Sequence, residues 1–276
     1  MKKIICKECG TAFFPKKDYK CTICKTDNSP EEDNSNKNFQ NGCMDNGTLI
    51  KMAKKSVVKI NVEFLGMDGY AKGSGWLAYN NLIITNAHVI IPEGNDVINN
   101  IICEFDPDLK LKNSKIFLDP IPVYISVNED IAILKPLNSN IPSEIPVFKI
   151  SDVPPQLGEK VFTIGSPLNY DFTCMEGIVA NLDYKNSNDK SLYNYLQTTL
   201  ILNSGNSGGA VFNTKAEVIG MATFNDLHLN HRDGVVISEQ GMIKGKIITN
   251  DAVNGYGFCI KREAILDALN IAIRRL

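Results

Sequence analysis

Asn203-Ser204-Gly205-Asn206-Ser207-Gly208-Gly209-Ala210 sets one serine among glycines, directly before the short apolar run Ala210-Val211-Phe212. A serine so placed can sit on a strained loop that aims its Oγ outward, because glycine accepts backbone angles that other residues avoid. On such a loop the backbone N–H groups of Gly205 and Ser207 converge on one point, which is the geometry of an oxyanion hole. A Gly/Ser-rich turn with no catalytic role would leave the same string. The rest of the chain has to decide between them.

Outward from this stretch the sequence is a succession of short β-rich runs divided by Gly, Asn, Asp and Pro. They are SVVKINVEF from Ser56, GSGWLAY from Gly73, NLIITNAHVI from Asn81, IICEF from Ile101, PVYISV from Pro122 and DIAILKP from Asp130. KVFTIGSP from Lys160, GIVANL from Gly177, GAVFN from Gly209, VIGMATF from Val218 and YGFCI from Tyr256 continue the pattern. Many short strands without helical periodicity between them predict an all-β barrel or sandwich domain. Trp76, the only tryptophan, falls in one of these runs and reads most simply as core.

Two of the runs carry polar residues with a chemical use. Thr85-Asn86-Ala87-His88-Val89 ends an apolar strand and holds one of only three histidines; a lone histidine there is more often structural than a base. Asp130 opens the buried-looking run DIAILKP, where an unpartnered carboxylate would incur a desolvation penalty of roughly several kcal/mol. An imidazole N–H would relieve it. Glu129 competes for the role, but on a strand its side chain points to the opposite face.

In the order His88, Asp130, Ser207, with the strings TNAHV, DIAIL and GNSGGAVF, the chain resembles trypsin-like serine peptidases, most closely the HtrA/Deg branch. GSGWLAY, LGEKVFTIGSP, GIV, LQTTLILNSGNSGG, EVIGMATF and GYGFCI also fall in family order, so the resemblance covers residues 51–276. It implies two six-stranded antiparallel barrels with the active site in the cleft between them. It further implies a serine endopeptidase in which Ser207 attacks, His88 moves the proton and Asp130 orients the imidazole, with no catalytic cofactor and a polypeptide as substrate. Ile201, Leu202 and Thr223 are then expected at the substrate pocket. Relatives that cut after Arg or Lys have an Asp six residues before the nucleophile; Ile201 stands there instead, so small or medium apolar residues are expected on the acyl side of the cut.

The chain departs from the family in two ways. It closes on KREAILDALNIAIRRL, whose Ile265, Leu269, Ala272 and Leu276 recur at helical spacing and predict an amphipathic helix packed on the second barrel, with no room for the PDZ domains usual in HtrA proteins. Asn206 precedes the nucleophile where digestive relatives have an Asp that pairs with a new N-terminus. Activation by cutting before Val57 is therefore not expected, and control should act through the ordering of residues 203–205.

Ahead of the β-rich part, Cys6-x-x-Cys9 and Cys21-x-x-Cys24, with eleven residues between the pairs, have the spacing of a zinc ribbon over residues 1–25. A closed four-cysteine shell implies structural rather than catalytic zinc, and disulfides or free thiols are the competing reading. Residues 26–50 are rich in Asn, Asp, Ser and Glu and read as a flexible linker, leaving 51–276 as the peptidase domain. The charge of −2 over 276 residues gives no field that favours nucleic acid or an anionic membrane. Lys7, Glu8 and Cys9 interrupt any apolar signal region, so a cytoplasmic protein with no membrane partner is expected. The ribbon would recruit an unknown protein or nucleic-acid partner, and a homo-oligomer is left open. His228 and His231, in a polar stretch running to Asn254, read as solvated loop histidines ahead of a metal pair. Two other functions survive beside the peptidase: a pseudopeptidase that only binds peptides, and a docking module led by the ribbon.

Overall fold

The computed structural model describes residues 4–5, 12–13, 45–66, 70–91, 97–111, 114–138, 141–142, 145–167, 170, 172–185, 194–227, 230–238, 241–249 and 252–276. Strands β1 (Ile4–Ile5) and β2 (Ala12–Phe13) pair antiparallel, with Ile5 opposite Ala12. Cys6, Cys9, Cys21 and Cys24 lie outside the described residues.

Helix α1 (Asn46–Ser56) comes next, and it takes up the last residues expected to be linker. Asp45 caps it, its Oδ1 accepting from the Thr48 N–H at 3.0 Å, which satisfies one of the orphan donors of the first turn. Leu49, Ala53 and Ser56, at spacings of four and three, are buried on one face. The ordered domain thus begins ahead of residue 51, where the cap and the single apolar stripe are too short to stand out from a polar segment.

The first half is a sheet of β3 (Val57–Phe64), β4 (Tyr70–Leu77), β5 (Ile83–Thr85), β6 (Ile98–Phe105), β7 (Lys115–Leu118), β8 (Tyr124–Ser126) and β9 (Ile131–Leu134), with the one-turn helix α2 (Ala87–Ile90) after β5. Its order is β7-β6-β3-β4-β5-β9-β8, seven strands where six were expected. Strand β8 hangs on the edge of β9. The sheet curls back on itself through a single bridge, Leu118 to Pro136, flanked by Asp119 N–H to Lys135 O at 2.9 Å and Leu137 N–H to Phe117 O at 3.0 Å.

The second half meets the expectation of a six-stranded barrel. It is closed in the order β10-β11-β12-β17-β14-β13, from β10 (Lys160–Gly165), β11 (Thr173–Tyr184), β12 (Tyr195–Thr198), β13 (Ala210–Asn213), β14 (Val218–Leu227) and β17 (Ala252–Lys261). Between β14 and β17 the stretch expected as a polar loop forms a hairpin of β15 (Asn230–Ser238) and β16 (Gly241–Thr249). Its Val235, Val236, Ile237, Ile243, Ile247 and Ile248 favour extended backbone. His228 lies outside the described residues.

Three apolar clusters explain the burial pattern. Val58, Ile60 and Val62 of β3, with Ala132 and Leu134 of β9, fill the first half, and Val161, Leu196, Val211 and Ala222 fill the second. The largest cluster lies between the halves. It joins Trp76, Ile84, Ile131 and Ile133 of the first to Phe162, Ile164, Phe212 and Phe258 of the second. Strand β9 is therefore buried on both faces, which is why DIAIL reads as a continuous apolar run. Helix α3 (Arg262–Arg275) adds Ala264, Ile265, Ala268, Leu269 and Ala272 to this seam. It touches β8 and β9 as well as β14 and β17, so it bridges both halves rather than capping the second alone. Leu276, expected on the packed stripe, is 61% exposed.

Leu49, 1% exposed in the seam, tests where the domain begins. Leu49→Ala is expected to lower unfolding free energy by about 2 to 5 kcal/mol in urea titration of the full chain. A change within about 0.5 kcal/mol, the range of a surface substitution, would return α1 to the linker.

Candidate active site

Strand β5 is wholly buried and delivers the chain to α2, so His88 emerges at the seam with its backbone anchored and its side chain 49% exposed. Asp130 reaches the same point from the other side, at the head of β9, with the left-handed φ of 53° that Asp tolerates better than most residues. His88 Nδ1 lies 2.8 Å from Asp130 Oδ2 and 3.0 Å from Oδ1. The His88 main-chain N–H donates to Oδ1 at 3.0 Å, and Asn86 Nδ2 donates to the Asp130 carbonyl at 2.9 Å. A carboxylate so placed keeps the proton on Nδ1 and leaves Nε2 free to accept one.

Thr223, expected at the substrate pocket, has another task. Its Oγ1 donates to Asp130 Oδ2 at 2.7 Å, while its main-chain carbonyl accepts from Ser207 Oγ at 3.0 Å. Thr223 therefore links the two halves of the site, with His88 and its own hydroxyl on the Asp130 carboxylate and the Ser207 hydroxyl turned to its carbonyl.

The loop before Ser207 is shaped by glycines that nothing else could replace. Gly205 has φ +98° and Gly208 φ +86°. A Cβ on Gly205 would fall 2.2 Å from the Ser166 carbonyl, and one on Gly208 would fall 2.1 Å from the Ser74 carbonyl. Asn206 N–H donates to Asn203 O, Gly208 N–H to Ala222 O and Gly209 N–H to Asn206 O, at 2.9 to 3.0 Å. Among the described residues the N–H groups of Gly205 and Ser207 have no such acceptor, as an oxyanion site requires. Asn206 is 1% exposed, its Nδ2 3.3 Å from Met175 Sδ and its Oδ1 without a hydrogen bond.

The two remaining pocket candidates part company. Leu202 is 4% exposed and belongs to the interior of the second barrel, against Gly257, where an added Cβ would meet its Cγ and Cδ1 at 2.8 Å. Ile201, next to it, is 67% exposed. A cavity of about 360 Å³ between Pro154, Leu182, Asp183 and Lys261 shares no residue with the site. Burial pushes the thiols of Cys103 and Cys259 up to about 12, and burial followed by Glu176 raises that of Cys174, so none competes as a thiolate nucleophile. No group of metal-ligating side chains occurs among the described residues.

Sequence reasoning missed Ser74, and it named Thr223 without its contact to Asp130. Thr223 Oγ1 and Ser74 act through contacts 93 and 131 residues apart in the chain, and the only local sign of Ser74 is its place between two glycines.

Comparison with known proteins gives the family and the fold. The family described as Trypsin-like peptidase domain matches residues 73–221. A probable periplasmic serine endoprotease DegP-like from Pseudomonas putida (strain GB-1) is 31% identical over 151 residues, 54% of this chain and 28% of that protein. Serine protease HTRA1A of Danio rerio is 34% identical over 161 residues, 55% of this chain and 30% of that one. The chain thus spans under a third of the length of these relatives. The crystal structure of the serine endoprotease from Yersinia pestis shares the fold, with a TM-score of 0.61 at 24% identity over 84% of this chain and 67% of that one. No helix among the described residues is long and apolar enough to cross a membrane.

Thr223→Val removes the hydroxyl donor to Asp130 at nearly constant volume. A hydrogen bond to a charged group is worth about 1.5 to 3 kcal/mol, so labelling of Ser207 by a fluorophosphonate is expected to slow about ten- to a hundredfold with the circular dichroism spectrum retained. Labelling at the native rate would show that the backbone alone holds Asp130.

Proposed function

Since this chain belongs to the trypsin-like peptidase family, we propose that it is a serine endopeptidase working through Ser207, His88 and Asp130. The observation that carries the reading is the Asp130 carboxylate, held by Thr223 and gripping His88 by both its ring and its main chain. Ser207 Oγ attacks the scissile carbonyl while His88 Nε2 takes its proton. The oxyanion of the tetrahedral intermediate lies against the N–H groups of Gly205 and Ser207, and His88 then returns the proton to the leaving amine. Water, deprotonated by the same imidazole, hydrolyses the acyl-enzyme. No cofactor enters these steps.

A pseudopeptidase is the second reading, and the hydrogen bond from Ser207 Oγ to the Thr223 carbonyl favours it, because a hydroxyl left in that state is not activated. The match of residues 73–221 to a peptidase family ranks the endopeptidase reading first, the Ser207 hydroxyl having to leave the Thr223 carbonyl by a change of χ1.

Ile201, 67% exposed and standing where relatives that cut after Arg or Lys have an Asp, supports an apolar pocket for the residue on the acyl side of the cut. An apolar wall rejects an unpaired charge far more strongly than it ranks aliphatic side chains. Digestion of an unfolded protein, read by mass spectrometry, is expected to give cuts after Val, Ala, Ile or Leu, and Ser207→Ala to give none, a loss on the order of a million-fold in turnover. Cuts mainly after Arg and Lys would refute the pocket, and residual cleavage by Ser207→Ala the nucleophile.

Cys6, Cys9, Cys21 and Cys24 we read as ligands of one structural zinc. The antiparallel pairing of β1 and β2 supports this, since the first Cys-x-x-Cys pair and Gly10 fall between these two strands in the sequence. Four thiolates on one zinc close the shell and contribute most of the folding energy of so small a module, which would recruit a partner without taking part in the chemistry. The full-length protein is expected to hold one zinc per chain, lost in Cys6→Ser with Ser207 still labelled. Two disulfides and no zinc would overturn the site, and would fit the oxidising compartment that the bacterial relatives' names give for those proteins.

A further inference from the structure

Strand β4 is paired along one side with β3 from Val57 to Glu63. On its other side β5 reaches only Trp76 and Leu77. The edge at residues 73–75 is therefore free of strand partners, and the loop bearing the nucleophile occupies it. Ser74 N–H donates to the Ser207 carbonyl at 2.8 Å, and Ser74 Oγ donates to the Gly205 carbonyl at 2.6 Å. The same Oγ accepts from the Ser166 N–H at 3.1 Å, and the Ser74 carbonyl accepts from Thr85 Oγ1 at 2.7 Å.

All the polar groups of Ser74 are thus engaged, at a residue with 0% exposure. Its partners are the two residues whose N–H groups face the oxyanion, the segment packed on Gly205, and the strand that delivers His88. The Gly205–Asn206 peptide, whose carbonyl Ser74 Oγ holds at 2.6 Å, lies between the two peptides that carry the Gly205 and Ser207 N–H groups, so turning either of these would strain or break that bond, and an unpaired buried carbonyl is costly. Gly165 and Gly208 keep the space open, since a Cβ on either would fall at 3.0 Å from Ser74 Oγ or 2.1 Å from its carbonyl.

Resting on the endopeptidase reading, we propose that Ser74 is a positioning residue that locks the Gly205–Ser207 backbone in the oxyanion-binding conformation and sets its register against His88. It touches no substrate. Its effect should therefore fall on the transition state and not on substrate binding.

The test compares full-length wild type, Ser74→Ala and Ser151→Ala on a peptide taken from a mapped cut, together with the matching peptide boronate, whose adduct mimics the tetrahedral intermediate. Ser151 is also buried and bonded through its hydroxyl, to Val153 O and Glu217, and serves as the control for simple loss of stability. Ser74→Ala is expected to lower kcat about a hundredfold, the scale of losing one oxyanion donor, with KM nearly unchanged and boronate affinity reduced in parallel. Ser151→Ala is expected to lower thermal stability and leave kcat as it was. Should Ser74→Ala not fold, Ser74→Cys, with its weak S–H donor, is expected to show the same pattern at smaller amplitude. Native kcat and boronate affinity in the Ser74 variants, or a loss confined to KM, would overturn the inference alone. Wild type that is neither cleaving nor labelled by fluorophosphonate would overturn the peptidase reading, and this inference with it.

Discussion

The apolar seam between the two halves governs the rest of the molecule, because the active groups come from both sides of it. His88 and Asp130 belong to the first half, Ser207 and Thr223 to the second, and the 2.7 Å bond from Thr223 to Asp130 joins the two sides. Such a distance survives only if the two sheets meet in one register. The seam supplies it with large, interdigitated side chains, Trp76 and Ile133 facing Phe162, Phe212 and Phe258, packed at a density that does not deform continuously. A catalytic geometry lost by a 1 Å shift is thereby held far from the chemistry.

Polar contacts then fix what apolar packing leaves free. Hydrophobic contact is not directional, whereas Ser74, Thr223 and Asn86 bond to particular atoms on neighbouring segments. In a dry environment these bonds are strong and costly to leave unmade. Asn206 fits the same scheme. Relatives with an Asp there use an ion pair to set the loop; this buried amide is 3.3 Å from Met175 Sδ, and the loop is positioned by hydrogen bonds from Ser74 instead of by charge.

How much of this was legible in the sequence depended on range. The strands, the His88, Asp130, Ser207 order and the glycines beside the nucleophile have local signatures: alternation, a polar residue opening an apolar run, small residues around a strained turn. Helix α1 was hidden because its one buried stripe, Leu49, Ala53 and Ser56, adjoins a polar tract. Strand β8 was legible, since Tyr124–Ser126 falls in the run PVYISV, whereas β7 escaped because the four residues Lys115–Leu118 have meaning only against β6. Thr223 was placed near the right point for the wrong reason, since its hydroxyl serves Asp130. Ser74 could not have been found at all, for its partners at 166, 205 and 207 are neighbours only once both halves have met.

The two helices at the seam also constrain how the protein is made. Leu49 and Ala53 of α1, near one end of the described domain, and Ala264 to Ala272 of α3, at the other, lie in one cluster with Ile131 and Ile133. During vectorial synthesis the first sheet therefore emerges with a face that only much later segments can cover. It must wait, partly wet, while about 130 further residues appear, at roughly 5 to 20 residues per second. That interval is a window in which the bare apolar face invites chaperones or aggregation, and the bond from Thr223 to Asp130 can form only when it ends.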